Sequence, residues 1–257
     1  CSKNVLSTGT SIDVPFQGNL FEYQINIVNK FISHVGESGG GLLDVEPGKG
    51  KTVMGLNIIS KLKTKTLVVV HKSFLLNQWK ERISQFLPKA RIGIIQAQTI
   101  DIDYKDIVIG MLQTLSTKEF DYDITKQFGL TIYDECHHLS AEVFSNVMIR
   151  IHTNYVLGLS GTMTRKDGLS KVFKYFIGPV VHKEKTDVSV QVLIKTVLFD
   201  DPYNDEYNQV ETDFKGNPMY SKMITKLCNN ENRSNMICNI IHEELQQNND
   251  QQIMILA

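Results

Sequence analysis

The sequence lacks several features that would assign it to a class at once. Its cysteines are too scattered to form a C-x-x-C pair, so neither a disulfide framework nor a zinc site is indicated. No apolar run reaches the roughly 18–20 residues that a membrane-spanning helix needs. The first residues also lack the charged-then-apolar order of a signal peptide. We therefore expect a soluble intracellular protein with no membrane partner.

An excess of one charge sign is also missing. The 257 residues carry a formal net charge of -1, so no global basic field would attract nucleic acid, and any such contact needs a local patch. With 42% hydrophobic and 21% charged residues, the composition is that of a folded globular protein. Its length suits one large domain, or one domain and part of another.

Residues 42–52 form the segment around which the chain is organised. They read Leu-Leu-Asp-Val-Glu-Pro-Gly-Lys-Gly-Lys-Thr, which predicts a short strand, a glycine-rich turn and a helix that begins at Lys-Thr. In a phosphate-binding loop, backbone amides and the helix N-terminus hold the phosphates, a lysine neutralises them and a hydroxyl binds Mg²⁺. The residues predicted to bind a nucleoside triphosphate with Mg²⁺ in this way are Gly48, Lys49, Gly50, Lys51 and Thr52.

One position departs from the general pattern of such loops. The pattern has a further glycine five positions before Gly50, and this chain has Val45 there. Taken alone, Gly48 and Gly50 are also compatible with a plain surface turn before a helix. Residues elsewhere in the chain must decide between the two interpretations.

Apolar runs and helical patterns alternate along most of the chain. Runs suited to strands occur at residues 66–70, 92–95, 107–110, 130–133 and 155–159, and helical spacing occurs at 25–35 and 74–86. This alternation predicts an α/β fold with a doubly wound parallel sheet and helices on both faces. Ligands of such sheets bind at the carboxyl ends of the strands, so residues that follow each run are candidates.

Asp134 and Glu135 directly follow the run at 130–133. Beside a phosphate-binding loop, an aspartate there can hold Mg²⁺, and the adjacent glutamate can orient and deprotonate an attacking water. An Asp-Glu pair on its own is equally compatible with a solvated loop. The upstream Gly-Lys-Thr segment in the same predicted sheet favours the catalytic interpretation.

Together these motifs resemble motifs I, II and III of the DExH-box superfamily 2 helicases and translocases. The matching segments are residues 48–52 (Gly-Lys-Gly-Lys-Thr), 134–137 (Asp-Glu-Cys-His) and 160–162 (Ser-Gly-Thr). Flanking sequences at 69–72, 78–79, 158–168 and 178–181 are similar to the XPB-like branch, which includes phage UvsW and the poxvirus-type transcript-release helicase. The resemblance implies a RecA-like fold, ATP and Mg²⁺ as cofactors, and a large DNA virus as the source.

The resemblance also implies roles within the nucleotide site. Gln24, which follows Tyr23, occupies the adenine-reading position, although it also fits as a polar residue on an amphipathic helix. Phe21 or Glu22 stands where the family usually has an arginine, and stacking by Phe21 or Tyr23 is a substitute. The residues implied to connect the nucleotide site with motif III are His137, Ser160 and Thr162.

For the nucleic acid, the resemblance points to residues at the tips of other strands. They are His71, Lys72, Gln78, Gln113, Thr114 and Arg165, which would contact phosphates and sugars without reading sequence. Trp79 is the only tryptophan of the chain and lies on the apolar face of its helix. It is therefore expected in the core and not as a base-stacking platform.

The resemblance divides the chain into four parts. We expect an irregular N-terminal segment at 1–18, a first RecA-like, ATP-binding domain at 19–185, a linker at 186–202 and the beginning of a second RecA-like domain at 203–257. Helices are expected at 203–227 and 234–245, and a strand at 252–256. Both ends look cut. The second domain of this family supplies an arginine finger, so the chain alone is expected to hydrolyse ATP poorly.

The predicted function is ATP-driven translocation on, or unwinding of, nucleic acid in transcription or repair. DNA, in particular duplex DNA, is the expected partner, with RNA as the alternative and transcription or replication machinery as further partners. A monomer is expected, located in the host cytoplasm or virion if the source is viral. The alternatives are another P-loop NTPase that does not act on nucleic acid, and a clamp that binds nucleic acid without catalysis.

Overall fold

The structure is a computed structural model, and it describes residues 6–135, 141–161, 170–183, 195–247 and 253–254. The chain divides into two compact units, residues 1–187 and residues 188–257. Among the described residues, no helix combines the length and apolar character needed to cross a membrane.

The first unit is built on one sheet, which has eight strands in the described part of the chain. The strands are β1 (Gly40–Asp44), β2 (Thr66–Val70), β3 (Ile92–Gln96), β4 (Thr99–Asp101), β5 (Ile107–Met111), β6 (Leu130–Asp134), β7 (Tyr155–Ser160) and β8 (Val180–Lys183). Their order across the sheet is β4-β3-β5-β2-β6-β7-β1-β8. Every neighbouring pair is parallel except β3 and β4, which are antiparallel.

Helices cover both faces of this sheet. Those described in the first unit are α1 (Glu22–Ser38), α2 (Lys51–Leu62), α3 (Ser73–Phe86), α4 (Leu112–Thr117), α5 (Tyr122–Thr125), α6 (Ala141–Arg150) and α7 (Ser170–Ile177). One hydrophobic cluster joins α1, α2 and α3 to the sheet, and a second joins α4, α6 and α7 to its other face. The doubly wound α/β fold predicted from the sequence is confirmed.

Burial explains why the central strands were readable from the sequence. All five residues of β2 are buried, because helices cover both faces of a parallel strand in this position. In α1 the buried residues Ile27, Val28, Phe31 and Val35 recur at helical spacing. The helix ends at Gly39, which adopts a left-handed φ of 76° and donates its N–H to the Val35 carbonyl.

Residues 6–18 pack along the amino ends of the strands. Ser7 forms a parallel bridge with Thr153, just before β7, and Ser11 forms an antiparallel bridge with Thr64, just before β2. Ile12 is buried in the hydrophobic cluster that also includes residues of α2 and α3. In its described part this segment makes isolated bridges and contains no helix or strand.

The second unit is helical in its described part. It contains α8 (Asp205–Asn208), α9 (Tyr220–Asn229) and α10 (Glu231–Gln247). The helix expected at 234–245 lies within α10. The prediction of a single helix at 203–227 is wrong, because the chain makes a turn between Thr212 and Pro218, which form an antiparallel bridge. In this turn Gly216 has a φ of 83°, and the Asp213 carboxylate accepts hydrogen bonds from two backbone N–H groups. Of residues 252–256, only 253 and 254 are described, and neither lies in a strand.

Candidate functional site

The loop between β1 and α2 has the conformation that its glycines allow. Gly48 and Gly50 have φ values of 83° and 79°, in the left-handed region where a side chain is strained. Gly50 is the residue that precedes the first turn of the twelve-residue helix α2. Unpaired amides of that turn and the positive end of the helix dipole therefore face the space beside the loop.

The structure explains why Val45 replaces a glycine. Its side chain is fully buried in the core, and its N–H donates to the Ser160 carbonyl at 2.9 Å. Its own carbonyl accepts a 3.2 Å hydrogen bond from Lys51 Nζ. Val45 does not have the positive φ that would require glycine, so the departure from the general pattern leaves the loop intact.

The Lys51 side chain lies near the carboxyl ends of three strands, β1, β6 and β7. Its side chain is 8% exposed, and Nζ lies 3.3 Å from Glu135 Oε1, just past β6. A Cβ built on Gly161, just past β7, would lie 3.1 Å from the same Nζ. Lys51 follows β1 at the start of α2, and Asp134 ends β6, and these two strands are not neighbours because β7 lies between them. The convergence of the two motifs is nevertheless observed.

Asp134 is held in a buried setting at the tip of β6. It is 4% exposed, and Oδ2 accepts a 2.7 Å hydrogen bond from the Trp79 indole N–H. Burial raises the pKa of Asp134 to about 6, and the neighbouring Glu135 carboxylate acts in the same direction. The Trp79 hydrogen bond and the Lys51 charge act against this rise.

Glu135 reaches Lys51 through an unusual backbone conformation. Its φ is 50°, which is left-handed for a residue with a side chain. Such a conformation costs on the order of 1–3 kcal/mol and persists where the surroundings impose it. The turn after β6 thus directs Asp134 and Glu135 differently, one toward Trp79 and the other toward Lys51.

The oxygen ligands at this edge fit a magnesium–nucleotide complex. The hydroxyl of half-buried Thr52 and the Asp134 carboxylate are hard donors, which Mg²⁺ prefers. The described part of the chain holds no cluster of three or more His, Cys, Asp or Glu residues suited to a metal. Mg²⁺ typically takes one or two protein ligands and completes its shell with phosphate and water oxygens, so two ligands suffice.

Gln24 lies against the phosphate-binding loop. Its amide Nε2 donates to the Lys49 carbonyl at 3.0 Å, and its Oε1 accepts the Phe21 N–H at 3.0 Å. The side chain is 5% exposed. Its adenine-reading role stays a prediction, and contact with adenine would require Gln24 to exchange one of these hydrogen bonds.

Two aromatic rings beside Gln24 are more open to solvent. Phe21 and Tyr23 stack with centroids 5.9 Å apart and planes inclined by 7°. Lys49 Nζ lies 5.8 Å from the Tyr23 ring centroid, and the Tyr23 hydroxyl donates to the Lys49 carbonyl. This places flat aromatic surface next to the loop, where base stacking was expected.

The residues predicted to contact nucleic acid fall into two groups. Lys72, Gln78 and Gln113 are exposed at or near the carboxyl ends of β2 and β5, and Gln113 Nε2 donates to the His71 carbonyl at 3.1 Å. Thr114 is buried, and its hydroxyl accepts the Ala97 N–H. The Thr114 side chain therefore stabilises the loop after β3 in this structure.

Three predicted site residues, His137, Thr162 and Arg165, lie outside the described residues. Ser160, the remaining member of the motif III pair, is fully buried and in register with Asp44 of β1. The Ser160 carbonyl accepts a hydrogen bond from the Val45 N–H, and the Val45 carbonyl accepts one from Lys51 Nζ. Ser160 is therefore connected to Lys51 through two hydrogen bonds and the backbone of Val45.

Two residues near the carboxyl ends of the strands, Trp79 and Phe74, have contacts that the sequence did not predict. Trp79 was correctly placed in the core, but its hydrogen bond to Asp134 joins residues 55 positions apart and leaves no periodic signal. Phe74 is 60% exposed, with Lys72 Nζ 5.8 Å from its ring centroid. An apolar residue in the first turn of α3, beside a predicted phosphate contact, was the available signal.

The chain is similar to known proteins over most of its first unit. Residues 17–165 match the family described as "Type III restriction enzyme, res subunit". L396 of Acanthamoeba polyphaga mimivirus, named as an inferred ATP-dependent RNA helicase, is 34% identical over 232 residues, which are 90% of this chain and 44% of that protein. The DNA 3'-5' translocase XPB2 of Sulfurisphaera tokodaii is 31% identical over 168 residues, 65% of this chain and 36% of that protein.

Solved structures show the same fold at lower identity. The UvsW helicase of bacteriophage T4 gives a TM-score of 0.53 at 19% identity over 70% of this chain and 64% of that one. The Sulfolobus solfataricus SWI2/SNF2 ATPase core in complex with dsDNA gives a TM-score of 0.55 at 21% identity, over 66% of this chain and 38% of that one. This chain spans between 30% and 53% of the length of the viral relatives it matches. The chain belongs to the family of the type III restriction enzyme res subunit, and viral and XPB-like helicases are among its relatives.

Proposed function

We propose that the protein uses ATP hydrolysis to move along, or to unwind, nucleic acid. The single observation that supports this most is the 3.3 Å contact between Lys51 Nζ and Glu135 Oε1. It brings a phosphate-binding lysine and a carboxylate suited to activating water to one point. The similarity to helicases and translocases from viruses and archaea supports the nucleic-acid part of the proposal.

Each residue of the site has a proposed role in ATP hydrolysis. The amides of residues 48–52 and the Lys51 ammonium hold the phosphates, while Thr52 and Asp134 hold Mg²⁺. Mg²⁺ would supply positive charge against the phosphate oxygens. Glu135 orients the attacking water and accepts its proton, and Gln24 with Phe21 and Tyr23 contacts the adenine.

Duplex DNA is the substrate that we propose for the motor. An archaeal relative is named a DNA translocase, and a solved ATPase core of the same fold was determined with dsDNA, while the mimivirus relative is named for RNA. Exposed Lys72, Gln78 and Gln113 offer contacts to phosphate and sugar, together with His71 and, beyond the described residues, Arg165.

The second unit and the setting of the protein are also matters of proposal. We propose that residues 203–257 begin a second RecA-like domain, that ATP binding closes the two domains, and that His137, Ser160 and Thr162 transmit this closure. The relatives in mimivirus and iridescent viruses support a viral source. A monomer that works with viral transcription or replication machinery, in host cytoplasm or virion, is the proposed context.

Polynucleotide stimulation of ATPase activity tests the motor proposal. The rate of the full-length protein should rise on addition of duplex DNA, with single-stranded DNA and RNA measured alongside. A rate that none of the three polymers changes would instead identify a P-loop NTPase that does not act on nucleic acid.

The substitution Glu135→Gln tests the proposed chemistry. Because the amide keeps its shape but cannot accept a proton, ATP should still bind while turnover falls at least 100-fold, on the order of a lost general base. Binding is followed with a fluorescent ATP analogue and turnover by phosphate release. Unchanged turnover would contradict the role of Glu135, and a wild-type protein that binds nucleic acid but releases no phosphate would favour the clamp.

A further inference from the structure

The Trp79 indole occupies a fixed place between the phosphate-binding helix and the tip of β6. It is fully buried, and its N–H donates to Asp134 Oδ2 at 2.7 Å. The opposite side of the ring lies against α2, where a Cβ added to Gly55 would be 3.3 Å from the indole Cη2. Gly55 thus leaves room for the ring, and the ring cannot turn away from Asp134 without disturbing α2.

This hydrogen bond fixes one of the two oxygens of the Asp134 carboxylate. An indole N–H can only donate, so the Asp134 oxygen that accepts from it, Oδ2, is turned toward Trp79. The indole bonds to Oδ2 and not to Oδ1. Groups that orient a metal-binding carboxylate in this way commonly alter metal affinity by about 10–100-fold when removed.

We propose that Trp79 is a positioning residue, which holds the Asp134 carboxylate in the orientation that binds Mg²⁺ with the nucleotide. This inference rests on the proposed function, since it assigns Asp134 to Mg²⁺. Trp79 touches neither nucleotide nor metal and acts through Asp134. The competing explanation is that the hydrogen bond only anchors α3 to the sheet and satisfies a buried indole.

The two explanations differ in the metal dependence of nucleotide binding. Loss of an anchor lowers stability and weakens nucleotide binding with and without Mg²⁺ alike. Loss of positioning weakens binding in Mg²⁺ but leaves binding in EDTA, which depends on Lys51 and the loop amides. The ratio of the two affinities therefore isolates the proposed role.

The experiment measures the affinity of a fluorescent ADP analogue in Mg²⁺ and in EDTA, using full-length protein. Trp79→Phe, which removes the donor, should reduce the Mg²⁺-to-EDTA affinity ratio by about 10–100-fold. Phe31→Leu serves as the matched control, because Phe31 is also fully buried in the same cluster but lies on α1. Its ratio should equal that of the wild type.

An unchanged ratio in Trp79→Phe would overturn the positioning role while leaving the proposed function in place. A wild-type protein with the same nucleotide affinity in Mg²⁺ and in EDTA would overturn both the positioning role and the proposed function. If Trp79→Phe does not fold, β-(3-benzothienyl)alanine at position 79 keeps the ring shape and removes only the N–H. The same decrease in the Mg²⁺-to-EDTA affinity ratio supports the proposal, and an unchanged ratio contradicts it.

Discussion

At the residue scale, the two glycines of the phosphate-binding loop share a backbone conformation but differ in their surroundings. A Cβ at Gly48 would meet nothing within 4 Å, whereas one at Gly50 would lie 2.4 Å from Gln24 Nε2. Both have a φ near 80°. The first position therefore needs glycine for its backbone alone, and the second also for space.

Alanine at these positions should separate the two requirements. Gly48→Ala should lower the free energy of unfolding by roughly 1–2 kcal/mol, the cost of a left-handed side chain. Gly50→Ala should cost about 1 kcal/mol more, because Gln24 must give up its hydrogen bond to Lys49. Urea denaturation followed by circular dichroism measures both.

Gly36 supplies the control for this pair. It lies inside α1, has no positive φ and has nothing within 4 Å of an added Cβ, so alanine there should be neutral or stabilising. Equal losses at positions 48 and 50 would show that the Gln24 contact contributes nothing.

The positions of Lys51, Asp134 and Glu135 at the carboxyl edge of the sheet were predictable, because each lies at or shortly after the end of a predicted strand. The contact between Lys51 and Glu135 follows from sheet topology, with β7 between β1 and β6, and the sequence does not specify that topology. The hydrogen bonds of Gln24 and Thr114 within the chain were not predicted either. Motif identity indicates the ligand but not what a side chain contacts in the structure.

At the scale of elements, the two edges of the sheet differ in character. The carboxyl edge holds the candidate site, while at the amino edge charged groups connect strands, with Lys65 and Asp106 buried and Arg91 exposed. Arg91, before β3, donates from its side chain to both Asp106 oxygens, before β5, at 2.7 and 2.9 Å. Lys65, before β2, donates to the Ile102 carbonyl and to Gln127 Oε1. These contacts fix the starts of three strands.

The Asp106 carboxyl should make stability depend on acid pH. Burial alone would raise the pKa of Asp106, but the hydrogen bonds from Arg91 outweigh it and hold the pKa below its ordinary value of 3.8. Because the folded pKa is the lower one, the pair stabilises the fold fully above the ordinary value. That stabilisation is lost as pH falls through the folded pKa.

We therefore expect the stability difference between wild type and Asp106→Asn to be constant near neutral pH and to shrink below about pH 4. Urea unfolding at a series of pH values measures it. Asp13→Asn is the control, because its 3.4 Å pair with Lys63 is largely exposed and contributes little. A wild-type and Asp106→Asn difference that stays constant through pH 3 would contradict the assignment.

Predictability also varied between elements. The central strands were read correctly because burial on both faces leaves a continuous apolar run. The edge strands β4 and β8 were missed: β4 has three exposed residues, and β8 is four residues long without a fully buried one. Turn chemistry at Asp213 and Gly216 overrode the helical spacing expected across 203–227.

At the scale of the whole molecule, a protein with a net charge of -1 must bind nucleic acid through a local surface. Exposed Lys72 at the carboxyl edge is proposed as a phosphate contact. Lys126 is an exposed lysine near the start of β6, at the amino edge, and both lie over an aromatic ring. Replacing either removes the same charge.

Lys72→Ala should weaken duplex DNA binding and reduce the slope of log affinity against log salt by about 1, the value for one lost phosphate contact. Lys126→Ala should leave both unchanged. Fluorescence anisotropy at several salt concentrations measures the slopes. Equal effects of the two substitutions would mean that overall charge, and not the carboxyl edge, governs DNA binding.

Lys51 is the residue proposed to bind the triphosphate, and direct measurement of ATP affinity tests this role. Lys51→Ala should weaken ATP binding by about 10–100-fold, the worth of a charged hydrogen bond. Lys61→Ala, at the exposed far end of the same helix, should bind ATP as the wild type does. Undiminished ATP affinity in Lys51→Ala would contradict the proposed site.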